Sequence, residues 1–284
     1  MSIQTIGIIG CGLMGSGIVE VCARSGFNVL VGEMDGELLK AGLARVRKSI
    51  ERGASRGKIS PEEAEATLSR IQGVNSLQEF AAADLVIEAI TEHLEPKHRV
   101  FRELDAILRP DVIIATNTSS ISIAAIAAIT RRPDRVLGMH FFNPVPVMQL
   151  LELVRSILTS DETLATAQEV GARLGKTTVV AKDSPGFIVN RLLIPYIIDA
   201  IKLYEAGLAT KEDIDAGVKL GLAHPMGPLT LADLVGLDTT LAVADVLYGE
   251  YGEPRFKAPP LLRQMVTAGL LGRKSRRGFY DYRD

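Results

Sequence analysis

The sequence predicts an α/β protein: a Rossmann-type, mostly parallel sheet domain followed by an all-helical C-terminal domain. Three observations carry that expectation. Short β-branched runs alternate with helical stretches through the first half, the rhythm of a parallel sheet covered on both faces. Gly10, Gly12 and Gly15 stand between the first apolar run and a helical pattern. After residue 186 strand patterns stop, and long helical patterns continue to residue 271.

Taken in order, strands are expected at 5–9, 28–32, 85–89, 112–116, 136–140, 150–153 and 177–180, with helices in the intervals. Segment 37–72 is too long for one crossover and rich in charge. It reads as two antiparallel helices broken near 57–61, with Ser60 as cap and Pro61 at the first helical position of the second. Later helices are expected at 187–206, 211–220, 230–248 and 260–268, with a turn at 224–228. The resulting division is residues 1–184, a nucleotide-binding domain with a helical-pair insertion, and residues 185–284, a helical domain for substrate and dimerisation.

Composition narrows the function classes. The 284 residues are 47% hydrophobic and 23% charged, enough for a sizeable core. A balance of 32 basic against 34 acidic residues leaves a net charge of −2, without the footprint of a nucleic-acid or membrane-surface binder. A small-molecule ligand is expected instead. The run 187–204 is strongly apolar but carries Asn190, Arg191, Pro195, Asp199 and Lys202, so it reads as a core or interface helix rather than a membrane span. No targeting pattern precedes the first strand. Cys11 and Cys22 are spaced too widely for a metal or redox motif, so packing roles and a cytoplasmic setting are expected.

The glycine turn points to a dinucleotide. Gly10 permits the tight turn, Gly12 lets backbone approach a pyrophosphate, and Gly15 lets helix and strand pack closely; Leu13 and Met14 complete the turn. A bare glycine turn can also be purely structural. Here Glu33 ends the second strand where an acid would accept from ribose hydroxyls. It would repel a 2′-phosphate, and neither Met34 nor Asp35 is basic, so NAD is expected over NADP.

Of four histidines, His140 ends a strand, where open α/β sheets bind ligands. Glu152 lies inside the apolar run 149–154, so it should be buried and in need of a partner. A His140–Glu152 pair satisfies both groups and makes the imidazole a stronger base. A hydrogen-bonded structural histidine is the alternative.

Five runs in one order, NTSS at 117–120, HFFNPVP at 140–146, SPGFIVNR at 184–191, HPMGP at 224–228 and GRKSRRGFY at 272–280, resemble the 3-hydroxyacyl-CoA dehydrogenase family, particularly its short bacterial 3-hydroxybutyryl-CoA members. The resemblance implies His140 as general base, Glu152 as its orienter, Ser119 on the substrate oxygen and Asn190 at the thioester. It places Glu33, Glu92, Lys97, Ser119, Asn143 and Lys274 around NAD, and Ser49 and Arg56 on CoA. His93 stands where the family more often has asparagine, and Arg56 where it has lysine. Without the resemblance, residues 117–120 could cap a helix, Lys97 could lie on a solvated face, and Asn190 could be a buried amide. The chemistry implied is oxidation of a secondary alcohol, with neutral His140 taking the hydroxyl proton while nicotinamide takes the hydride. No metal is required. The resemblance also implies a homodimer. A hydroxyacyl group carried by acyl carrier protein is the rival substrate, and an NAD-binding protein without turnover the rival class.

Overall fold

The computed structural model describes residues 3–283. Contacts divide it into two compact units, Met1–Ser184 and Pro185–Asp284. The first unit is built on one sheet of eight strands in the order β3-β2-β1-β4-β5-β6-β7-β8. These are β1 (Thr5–Ile9), β2 (Asn28–Gly32), β3 (Ile71–Gly73), β4 (Leu85–Glu88), β5 (Ile113–Thr116), β6 (Val136–Phe141), β7 (Leu150–Arg155) and β8 (Thr177–Lys182). All neighbours pair in parallel except β6 and β7. Chain order reverses where β1 lies beside β4, the place where doubly wound sheets open a crevice beyond their carboxyl ends.

Helices α1 (Leu13–Arg24), α2 (Gly36–Ser55), α3 (Pro61–Ser69), α4 (Leu94–Ile107), α5 (Ile123–Ala127) and α6 (Asp161–Arg173) connect the strands. The insertion has the expected break. Ser60 and Glu63 form a reciprocal capping box at α3 with Pro61 at its start, a device that contributes about 1 kcal/mol. Three strands depart from expectation by more than a residue. The short β3 falls at the end of the segment expected to be helical, because its three residues are too few to show alternation. Strands β7 and β8 each run two residues further than expected, their ends carrying Arg155 and Lys182 at the sheet margin.

The second unit holds α7 (Val189–Glu205), α8 (Lys211–Gly221), α9 (Pro228–Val235), α10 (Leu237–Tyr251) and α11 (Pro260–Thr267). The helix expected at 230–248 is two helices. Gly236 between them has φ +100°, outside the helical range, and begins a new axis. The unit is mostly rather than wholly helical, since Gly272, Arg277 and Asp281 form isolated antiparallel bridges. Ile194, Ile197, Ile198 and Ile201 of α7 enter the unit's own core, while Leu192 and Leu203 stay exposed. No helix among the described residues is long and apolar enough to cross a membrane.

Candidate active site

The glycine turn after β1 is shaped by close backbone approach. Gly10 has φ +91°, and a Cβ there would lie 2.5 Å from the Ala89 carbonyl oxygen; at Gly15 it would lie 1.8 Å from the Gly10 oxygen. A Cβ at Gly12 would meet nothing within 4 Å, so that face is open. Leu13 and Met14 begin α1, whose first turn holds no acidic residue and no side-chain cap, leaving amides for an anion. Glu33 reaches back to the turn and accepts from the Cys11 amide at 2.5 Å, while Arg45 donates to the Cys11 carbonyl at 2.9 Å. Open backbone at Gly12, an uncapped helix start and a carboxylate at the end of β2 fit a dinucleotide. Burial pushes both thiols, Cys11 and Cys22, up to about 12, which suits packing rather than reactivity.

The sheet register brings His140 of β6 directly opposite Glu152 of β7. The imidazole Nδ1 lies 2.7 Å from Glu152 Oε2, with Glu152 fully buried and His140 nearly so. Phe142 packs against the ring with centroids 4.6 Å apart. Asn117, at the end of β5, accepts from the Phe141 amide at 2.9 Å and so ties the two strand ends together. Asn143 follows in an exposed position. The loop beyond it is braced by Lys176, whose ammonium donates to the carbonyls of Val145 at 2.6 Å and Met148 at 2.7 Å.

A second charged network lies at the ends of β4 and β5. Lys97 is not on a solvated face: its side chain is 1% exposed and donates to Glu88 Oε1 at 2.7 Å and Oε2 at 3.0 Å. Glu88, also fully buried, accepts from the Ile90 amide and the Thr116 hydroxyl, each at 2.7 Å. Lys97 lies 3.5 Å from Glu92. Glu92 Oε1 in turn accepts from the Thr118 hydroxyl at 2.6 Å, the Ser119 amide at 2.8 Å and the Ser119 hydroxyl at 3.2 Å. Burial alone would raise the Glu92 carboxyl, but the Lys97 charge and these hydrogen bonds outweigh it and hold the group below its ordinary range. The run 117–120 is thus a folded loop around Glu92, and Ser122 is the residue that caps α5. Glu88, Thr116 and Thr118 were not singled out from sequence. An acid closing the apolar run of β4 is the one signal that could have found the first.

Other expected residues stand elsewhere. Ser49 and Arg56 are exposed on α2 and at its C-terminal cap. In the second unit, Asn190 is half-buried in the first turn of α7, and Lys274 is ion-paired with Asp238. His93 precedes α4 without a capping side-chain bond, and His98 lies 3.1 Å from the Ala125 carbonyl. The closing run serves as a strap. Asp233 accepts from the Phe279 and Tyr280 amides at 2.9 Å and from the Tyr282 hydroxyl at 3.1 Å, and Asp215 accepts from the Tyr280 hydroxyl at 2.9 Å. A Cβ on Gly278 would sit 2.0 Å from Asp233 Oδ1, which explains the glycine in that run.

Two family models cover nearly the whole chain: the 3-hydroxyacyl-CoA dehydrogenase NAD binding domain matches residues 5–184, and the C-terminal domain of the same family matches 186–282. The chain belongs to the 3-hydroxyacyl-CoA dehydrogenase family. It is an NAD-dependent dehydrogenase of that kind. A 3-hydroxybutyryl-CoA dehydrogenase of Mycobacterium tuberculosis is 49% identical over 283 residues, 99% of both chains. A probable 3-hydroxybutyryl-CoA dehydrogenase of Bacillus subtilis is 46% identical over 284 residues, 100% of this chain and 99% of the other. The crystal structure of M. tuberculosis FadB2 superposes with a TM-score of 0.98 at 48% identity, and that of (S)-3-hydroxybutyryl-CoA dehydrogenase PaaH1 from Ralstonia eutropha with 0.95 at 47%, each covering both chains completely.

Proposed function

We propose that this dehydrogenase interconverts 3-hydroxybutyryl-CoA and its 3-keto thioester, with His140 moving the proton. The observation that carries the assignment of roles is the 2.7 Å contact between His140 Nδ1 and the buried Glu152 carboxylate. The Nδ1 contact with Glu152 orients the ring, and the proposal assigns Nε2 to the substrate oxygen. Neutral His140 takes the hydroxyl proton during oxidation, and imidazolium returns it during reduction, with Glu152 stabilising the charged form. Ser119 binds the substrate oxygen and Asn190 the thioester end. Gly10, Gly12, Leu13, Met14 and Gly15 bind the cofactor pyrophosphate, Glu33 the ribose, and Glu92, Lys97, Asn143 and Lys274 also contact the cofactor. NAD, when bound, supplies the ring that accepts or returns the hydride.

Ser49 and Arg56 take the nucleotide end of CoA. Both are exposed, Ser49 on α2 and Arg56 at its C-terminal cap, beside Arg52 and Lys58, where a local basic surface attracts phosphates. The enzyme acts in the cytoplasm as a homodimer joined through its helical unit, where Leu192, Leu203, Leu208, Leu220 and Leu222 are exposed. Steady-state kinetics with NADH test the carrier. Arg56→Ala should raise KM for acetoacetyl-CoA and leave kcat and the KM of a short pantetheine thioester little changed. Equal effects on both substrates, or turnover confined to thioesters on acyl carrier protein, would overturn the CoA assignment.

A further inference from the structure

The Glu88 carboxylate has no solvent contact, yet it receives four hydrogen bonds at the carboxyl end of β4, next to the point where strand order reverses. A buried acid there is costly unless its partners require it. Its partners form two paths to one loop. Through Thr116, whose Oγ1 accepts from the Thr118 amide at 3.3 Å, Glu88 connects to the residue whose hydroxyl bonds Glu92. Through Lys97 it fixes an ammonium 3.5 Å from Glu92 itself. Both paths end on the carboxylate that gathers the amide and hydroxyl of Ser119.

We propose that Glu88 is a positioning residue for the reaction: it clamps Lys97 and Thr116 so that Glu92 stays ionised and holds Ser119 in place. This rests on the assignment of Ser119 to the substrate oxygen. Without Glu88, the Lys97 ammonium, itself closed off from water, would have only the half-exposed Glu92 as counter-charge. It would then fold away or lose its proton. Among the described residues no other carboxylate lies within salt-bridge distance of Lys97. From the elements against α4, the turn at Leu77–Ala82 brings Glu79, which is committed to the amides of Asn75 and Ser76, and α5 brings no charged group. On α4 itself, His98 is turned toward the Ala125 carbonyl.

The test compares pH–rate profiles of full-length variants with acetoacetyl-CoA and NADH in one direction and 3-hydroxybutyryl-CoA and NAD in the other. Glu88→Gln should lose activity on the alkaline side at least about one pH unit below wild type, because the unpaired Lys97 gives up its proton. This limb is read in the oxidation direction, where neutral His140 is the active form and does not mask it. Glu88→Asp should restore much of the wild-type limb. The double variant Glu88→Gln with Lys97→Met removes both buried charges, so it also serves if the single variant folds poorly. Its Glu92 has lost the neighbouring cation, so in the reduction direction its acid limb should move up by about one pH unit. A Glu88→Gln variant that is slowed by the same factor at every pH, or a double variant whose acid limb coincides with wild type, would overturn the proposal. Failure of wild type to turn over either substrate would instead reject the function on which it rests.

Discussion

In the N-terminal unit the buried carboxylates Glu88 and Glu152 face an ammonium and an imidazole, whereas in the C-terminal unit Asp215 and Asp233 face only neutral donors. Asp215 accepts from the Leu229 and Thr230 amides and the hydroxyls of Thr230 and Tyr280, and Asp233 from the strap. Burial costs are offset in both places, but by different chemistry. An acid paired with a titratable base at a strand end can move or stabilise a proton, while one held by amides can only anchor chain. Partner type, more than burial, separates the reactive edge from the scaffold.

The largest effect expected from this contrast is at His140. His140→Ala should lower kcat by ~10²–10⁴-fold, the usual worth of general acid–base catalysis, with NADH affinity nearly unchanged by fluorescence titration. Retention of more than about a tenth of wild-type rate would reject His140 as the base on that scale. Asp215→Ala should behave in the opposite way. It removes the acceptor of the Leu229 and Thr230 amides and of the Thr230 hydroxyl, while the Tyr280 hydroxyl keeps the Lys211 carbonyl; a buried donor left unpaired costs about 1–3 kcal/mol, so the midpoint of thermal unfolding should fall while kcat of the folded fraction is little changed. Loss of kcat without loss of stability would erase the distinction between the two regions.

A smaller but sharper difference concerns proton linkage. Burial raises the Asp233 carboxyl, and the Tyr280 and Phe279 amides with the Tyr282 hydroxyl only partly offset it, so it should titrate above the ordinary range. Glu92 should titrate below it. The signs follow. The stability linked to Asp233 is present below the unfolded carboxylate value and is lost as pH rises through the folded one. That linked to Glu92 is present above the unfolded value and is lost as pH falls through the folded one. Carboxyl-carbon NMR titration of both groups checks the pair, and equal midpoints would contradict it.

Legibility in the sequence followed range. The glycine turn, the cap at Ser60 and the strand that carries His140 are local patterns, and the structure holds them within a residue of where the spacing put them, the strand reaching Phe141. Glu152 could be suspected because a carboxylate inside an apolar run must find a partner. The Glu88 network was invisible because Glu88, Lys97, Thr116 and Thr118 meet only through the parallel pairing of β4 with β5 and the return of α4. Asp215 and Asp233 carry no local signal, since the strap that they hold lies 46 or more residues further along the chain. Gly236 was hidden by apolar periodicity that continues across the break.

The most direct test of the central claim is the pH–rate profile of Glu152→Gln, measured in both directions alongside thermal unfolding. Removing the counter-charge disfavours imidazolium relative to imidazole, so kcat for reduction should fall by at least about tenfold near neutral pH and its alkaline limb should move to lower pH. The acid limb of oxidation should move the same way. A Glu152→Gln enzyme that unfolds normally and keeps the wild-type profile in both directions would contradict the His140–Glu152 pair as the proton-handling centre.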